Sequence, residues 1–134
     1  TTAPYDFSRV YTGPASHTIT AKAFDLVGNS ASDQISISVA PTDTTPPQIT
    51  IISPPNNIVG RVPVNRVVIP IATDNTSIAR YELRVNGSLQ GTLIAPPIFF
   101  PISLTVPGIY SISVTAFDLA GLSATATISI TVLP

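Results

Sequence analysis

The sequence predicts an all-β protein built as an antiparallel sandwich, and three observations carry that prediction. First, a stretch of 26 residues occurs twice. Residues 16–41, SHTITAKAFDLVGNSASDQISISVAP, return as residues 109–134, IYSISVTAFDLAGLSATATISITVLP, offset by 93 positions with thirteen identities and no gap. A repeat at fixed spacing marks one structural unit used more than once. Second, both copies alternate apolar and hydroxyl residues with a period of two, the pattern of a strand buried on one face. Third, no segment shows helical spacing, and turn residues divide the chain into seven or eight short runs.

The elements follow in order. Residues 5–11 form an extended piece closed by the turn Gly13-Pro14. Phe7 and Tyr11 align with Phe100 and Leu104, but Arg9 stands where Ile102 does, so this strand is less buried or edge-like. The first hairpin comes next, with Ile19, Ala21 and Ala23 inward on one strand and Ile35, Ile37 and Val39 on the other. Between its strands the run Phe24-Asp25-Leu26-Val27-Gly28 supplies a carboxylate to bond turn N–H groups and a glycine for positive φ. The connector Pro41-Thr42-Asp43-Thr44-Thr45-Pro46-Pro47 is stiff and extended, which sets a domain boundary between 1–42 and 43–134.

The second domain opens with a strand at 48–53 and a turn at Pro54-Pro55-Asn56-Asn57. A strand at 66–72 follows, with Val67, Ile69 and Ile71 on one face. Pro70 has no N–H for a ladder, so the strand is an edge there or carries a bulge. After Asp74-Asn75, the strand 78–85 alternates Tyr81, Leu83 and Val85 with Arg80, Glu82 and Arg84. Asn86-Gly87 is the dipeptide favoured in two-residue hairpins, with 89–94 as the partner strand. A strand at 98–106 precedes Pro107-Gly108 and the final hairpin, the second copy of the repeat.

Composition narrows the function. The 134 residues carry a net charge of −1, which argues against a nucleic-acid surface. No apolar run reaches the roughly 20 residues of a membrane helix. Cysteine is absent, so there is neither a disulfide nor a thiolate metal site. Charged residues make up only 10 %, against about 25 % in ordinary domains. A surface rich in Ser and Thr and poor in charge suits an extracellular or cell-surface protein, or one packed against copies of itself. With no signal peptide or initiator Met, the sequence reads as a mature product or an excised piece.

Several runs carry a resemblance. Gly108-Ile109-Tyr110-Ser111-Ile112 resembles the Gly-x-Tyr-x-Cys run of immunoglobulin-type folds, with Ile in place of Cys. The resemblance implies that Tyr110 is a tyrosine corner whose hydroxyl bonds the backbone. The runs Asp43 to Pro47, Ala72 to Asn75 and Tyr81 to Gly87, with the repeated Ala-Phe-Asp-Leu-x-Gly, resemble the tandem Ig-like repeats of bacterial and archaeal extracellular proteins. The buried Trp and disulfide of antibody domains are missing. The resemblance implies spacers, adhesive or assembly modules, or accessory modules of secreted hydrolases.

On this reading 43–134 is a complete Ig-like module and 1–42 an incomplete one, with only the last three strands. Its apolar face, made by Ile19, Ala21, Ile35, Ile37 and Val39, needs a cover. The chain is a piece of a longer array, or strands of another chain complete the sheet, or residues 1–42 pack onto the second module. Strand addition at an open edge supplies ladder bonds, and a head-to-tail interface that does not close gives a filament. The expected function is therefore a non-enzymatic extracellular building block of a surface or filamentous assembly, self-associating head to tail. The alternative is an accessory or adhesion module that binds carbohydrate or calcium.

Candidate sites are few. The acids lie scattered over turns and strand surfaces, the single His17 occupies the Tyr110 position and is expected to cap backbone there, and no Gly-x-Ser-x-Gly elbow is present, so no catalytic residue is assigned. No cofactor is required. Calcium is the best metal candidate because it takes oxygen ligands from loops, and Asp43 in the connector, Asp74 and Asn75 in a loop, and Asp118 or Asp25 in the hairpin turn are the available oxygens, although no Asp-x-Asp-x-Asp spacing groups them. Each is equally explained as an Asx-type turn. Asn75-Thr76-Ser77 and Asn86-Gly87-Ser88 match the glycosylation triplet. A glycan-binding face would need exposed aromatics. There is no Trp, and Phe99 is the best candidate for an exposed aromatic, as a sugar platform or an assembly contact.

Overall fold

The computed structural model describes residues 6–94 and 96–134, and the chain divides into unit 1, Thr1–Thr42, and unit 2, Asp43–Pro134. Unit 1 is a single antiparallel hairpin of β1 (Ala15–Phe24) and β2 (Ser30–Val39), in continuous register from Ala15↔Val39 to Phe24↔Ser30. Its turn is closed by Asp25, whose Oδ1 accepts the N–H groups of Val27 (3.0 Å) and Asn29 (2.8 Å), and by Gly28 at φ 94°. The third strand expected at 5–11 is not formed: Tyr5 lies outside the described residues and residues 6–11 carry no strand. Within unit 1 the face expected to be buried is open. Ile35 is 59 % exposed and Ile37 38 %, because the unit provides no second layer among its described residues. His17 packs on Tyr11 at 4.5 Å between ring centroids, with the rings tilted by 36°, and its Nε2 is buried without a hydrogen-bond partner.

Unit 2 is a two-layer sandwich. One sheet has the order β4-β10-β9-β6-β7 and the other β3-β5-β8. The strands are β3 (Gln48–Ser53), β4 (Ile58–Arg61), β5 (Val64–Thr73), β6 (Ile78–Val85), β7 (Ser88–Leu93), β8 (Phe100–Leu104), β9 (Gly108–Asp118) and β10 (Ser123–Leu133). All neighbours are antiparallel except β4, which runs parallel to the last turn of β10. The alternation read in the second repeat lays Ile112, Val114 and Ala116 of β9 and Ile128, Ile130 and Val132 of β10 against Val68, Phe100, Ile102 and Leu104 of the other sheet. These residues are 8 % exposed or less, the condition under which apolar side chains contribute their full transfer free energy.

Three expectations are corrected. The inward face of β5 is Val64, Val68 and Pro70, while Val67 and Ile71 are about half exposed. Residues 66–72 are apolar on both faces, so the period alone could not choose the phase. Pro70 faces the core because β5 changes partners there: β8 pairs with Val64–Val68 and β3 with Ile69–Thr73, and the β3 ladder shifts register beside Pro70. The strand expected at 98–106 shortens to β8, since Ile98 is buried without ladder pairing. Strand β4, unanticipated, fixes itself through Asn57 N–H to Ser129 O (2.9 Å) and Val62 N–H to Leu133 O (3.0 Å). The Tyr110 hydroxyl donates to Val106 O at 2.9 Å, the backbone bond of a tyrosine corner. Asn86 and Gly87, at φ 49° and 82°, make the two-residue turn between β6 and β7.

Candidate metal centre

Three aspartates separated in sequence meet in unit 2. Asp43 precedes β3, Asp74 follows β5 and Asp118 ends β9. The registers Gln48↔Thr73 and Ile78↔Asp118 bring those three chain positions to the same end of the sandwich. One carboxylate oxygen from each lies within 4.8 Å of the other two. Two oxygens that share a calcium ion at 2.3–2.6 Å are separated by no more than about 5 Å.

Each carboxylate is aimed by its own loop. Thr45 N–H donates to Asp43 Oδ1 (3.0 Å), Thr76 N–H to Asp74 Oδ2 (3.0 Å) and Leu122 N–H to Asp118 Oδ1 (2.8 Å). These are the turn bonds expected for isolated aspartates. They occupy one oxygen of each group and leave the other to point elsewhere. Asn75 Nδ2 donates to Asp43 Oδ1 at 3.1 Å. Thr76 Oγ1 lies 2.9 Å from Asp43 Oδ2 and 2.8 Å from Asp74 Oδ2, and its single proton serves one of them at a time. Neither Thr76 nor the cross-loop role of Asn75 was read from the sequence, although both follow Asp74 directly in the run Asp74-Asn75-Thr76.

The electrostatics are unbalanced. Asp118 is 2 % exposed, and its Oδ2 has no hydrogen-bond partner; Asp74 Oδ1 is buried in the same condition. Among the described residues the salt bridges join Glu82 to Arg80 and Arg84, and none reaches the three aspartates. Asp43 is held below the usual carboxylate range, chiefly by the Thr45 N–H and then by the Asn75 amide.

The repeat supplies a comparison inside the same chain. Asp25 in unit 1 corresponds to Asp118, and Asn29 to Leu122. Asn29 Nδ2 donates to Asp25 Oδ2 at 2.7 Å, so both oxygens of Asp25 are satisfied and the group is exposed. Leu122 offers no such donor, and Asp118 Oδ2 is left bare. Asp25 is held low chiefly by that Asn29 amide.

The remaining candidate residues divide between the two units. Ile19, Ala21, Ile35, Ile37 and Val39 share the open face of the unit 1 hairpin. Phe99 is 50 % exposed in the segment before β8. Asn75 is exposed with its amide engaged by Asp43, and Asn86 accepts the Ser111 N–H at 2.8 Å through its Oδ1.

The two-layer arrangement defines the class: an all-β, immunoglobulin-like sandwich. It is similar to a solved structure described as the fibronectin(III)-like modules of Clostridium thermocellum CbhA, with a TM-score of 0.63 and 20 % identity over 90 % of this chain. The match spans 64 % of that chain's length, and the likeness is one of fold. No family model and no curated protein matches the sequence.

Proposed function

We propose that the chain is a non-catalytic, extracellular Ig-like building block, held in a surface or filamentous assembly by strand-edge pairing between copies. The observation that supports this reading is the unequal state of the two repeats. In unit 2, β9 has β6 along one edge, β10 has β4 along the other, and their apolar face is covered by β3-β5-β8. In unit 1 the equivalent hairpin has both edges unpaired among the described residues, and Ile35 and Ile37 remain 59 % and 38 % exposed. A two-stranded hairpin is at best marginally stable in water, so a bare apolar hairpin calls for added strands.

The occupant is a second copy of this chain. The free β1 edge then pairs with an edge strand of a neighbour's unit 2, whose sheets end in β4, β7, β3 and β8. Such a contact is heterologous and propagates head to tail. The low charge of the surface, 10 % of residues, removes the usual block to edge pairing. Light scattering and negative-stain electron microscopy at about 100 μM test this. Linear oligomers that dissociate in Ile35→Asp/Ile37→Asp, with unit 2 still folded, are expected. A monodisperse wild-type monomer overturns the proposal and turns attention to the accessory-module alternative.

A further inference from the structure

From this geometry we infer that Asp43, Asp74 and Asp118 form a calcium site that clasps the first residue of unit 2 to the β5–β6 loop and the end of β9. The inference is independent of the assembly proposed above. The convergence of three acids is only its starting point. The second observation is Asp118, 98 % removed from solvent, whose Oδ2 has no donor while its Oδ1 is fixed by Leu122 N–H. A buried carboxylate oxygen is normally hydrogen-bonded, paired with a cation or bound to a metal. No donor meets Oδ2, and no salt bridge among the described residues reaches Asp118. Asp74 Oδ1, also buried and unpartnered, belongs to the same cluster.

The donor set selects the cation. The sequence has no cysteine, its one histidine lies in unit 1, and the three ligands are carboxylates. An all-oxygen set favours a hard cation over zinc or copper. The three oxygens come from loops and a strand end, a setting that suits calcium, whose coordination of 6–8 oxygens is geometrically tolerant. Magnesium demands a near-ideal octahedron and gives up water reluctantly. Thr76 and Asn75, which already bond these carboxylates, hold Asp43 and Asp74 in place for the ion.

Unit 1 makes the same hairpin turn without the site. There the Asn29 amide takes the place that the ion takes in unit 2 and satisfies Asp25 Oδ2. Among the described residues the calcium site therefore lies in unit 2.

The test uses the full chain stripped with EDTA. Calorimetric titration with CaCl2 is expected to show one ion per chain, with a Kd on the order of 0.1 mM, the range of extracellular calcium modules. Calcium at 10 mM is expected to raise the Tm of unit 2 by about 10 °C. Asp118→Asn weakens binding more than tenfold and loses the shift. In EDTA, however, it melts at or above the wild-type temperature, because a buried carboxylate oxygen without a hydrogen-bond donor has gone. Asp25→Asn keeps the full response. Should Asp118→Asn fail to fold, Asp74→Asn, at a half-buried loop position, carries the same expectations. Identical wild-type melting in EDTA and in 10 mM CaCl2 overturns the inference. So does a full calcium response in the variant, and an equal response to MgCl2 overturns the choice of ion.

Discussion

Ile130 and Ile37 hold the same place in the two copies of the repeat, and the structure gives them opposite energetic weight. Ile130 is 0 % exposed in β10, while Ile37 is 38 % exposed in β2. Ile→Ala removes three carbons. At about 0.8 kcal/mol per buried carbon group the transfer loss at Ile130 is about 2.4 kcal/mol, and the cavity left in a two-sided core raises it to about 3–4 kcal/mol. For a unit of this size that corresponds to a fall in Tm of about 15 °C or more. Ile37→Ala removes the same atoms from a face with no second layer in unit 1, so the cooperative transition of dilute protein moves by less than about 0.5 kcal/mol. Urea unfolding followed by circular dichroism at low micromolar concentration measures both. Equal losses in the two variants would refute the claim that the unit 1 hairpin lies outside the cooperative core. At high concentration Ile37→Ala should instead weaken self-association and leave the unfolding midpoint alone, which separates its role in assembly from a role in folding.

Further outcomes follow from single contacts. Tyr110→Phe deletes the bond to Val106 O at an exposed corner and should lower unit 2 stability by about 1 kcal/mol in urea, without a change in fold. The Arg80 hydrogen bond, and after it that of Arg84, holds Glu82 below its unfolded value. A group lowered on folding contributes stability that is complete above the unfolded pKa, near 4.3, and lost as pH falls through the folded one. The urea midpoint should therefore drop as pH falls below about 4.3, and Glu82→Gln should show a shallower drop there. Gly60→Ala places a Cβ 2.8 Å from Val64 Cγ2, a β-branched core side chain that cannot swing away. Its expected cost is about 1–3 kcal/mol, read as a lower Tm.

What the sequence disclosed, and what it hid, depends on how far the deciding interaction reaches along the chain. The hairpins were legible because their information is local. Asp25 and Asp118 bond N–H groups two to four residues away, Asn86-Gly87 fixes its own turn, and strict alternation in residues 109–117 and 124–132 names the buried face. Strand β4 was illegible because Ile58–Arg61 is held by parallel pairing with residues more than 70 positions later. The phase of β5 was misread because Val64 to Ala72 carries apolar side chains on both faces, and the deciding fact is which one meets Phe100 and Ile112 across the core. Asp43, Asp74 and Asp118 could each be named, but their meeting could not be read, since it requires the registers of β3 with β5 and of β6 with β9 together.

That distribution bears on how the repeat came to hold two different states. The turn Phe-Asp-Leu-x-Gly folds the same way in both copies, with glycine at φ 94° and 88° and the aspartate accepting from the backbone four residues on. The turn therefore does not need its second carboxylate oxygen, which is left to be matched by context. In unit 1 the residue four positions on is Asn29, and the match is made locally; the turn is self-sufficient in its polar groups, and what the hairpin lacks is apolar cover. In unit 2 the same position is Leu122, the apolar cover is complete, and the deficiency is polar. A sheet can supply the first kind of partner and a cation the second. Substituting Leu122→Asn tests whether these are interchangeable solutions to one local problem. The amide should satisfy Asp118 Oδ2, raise the Tm of the EDTA-treated chain and blunt its response to calcium. A lower Tm with an unchanged calcium response would show that Leu122 is kept for packing and that the Oδ2 of Asp118 was never the deciding group.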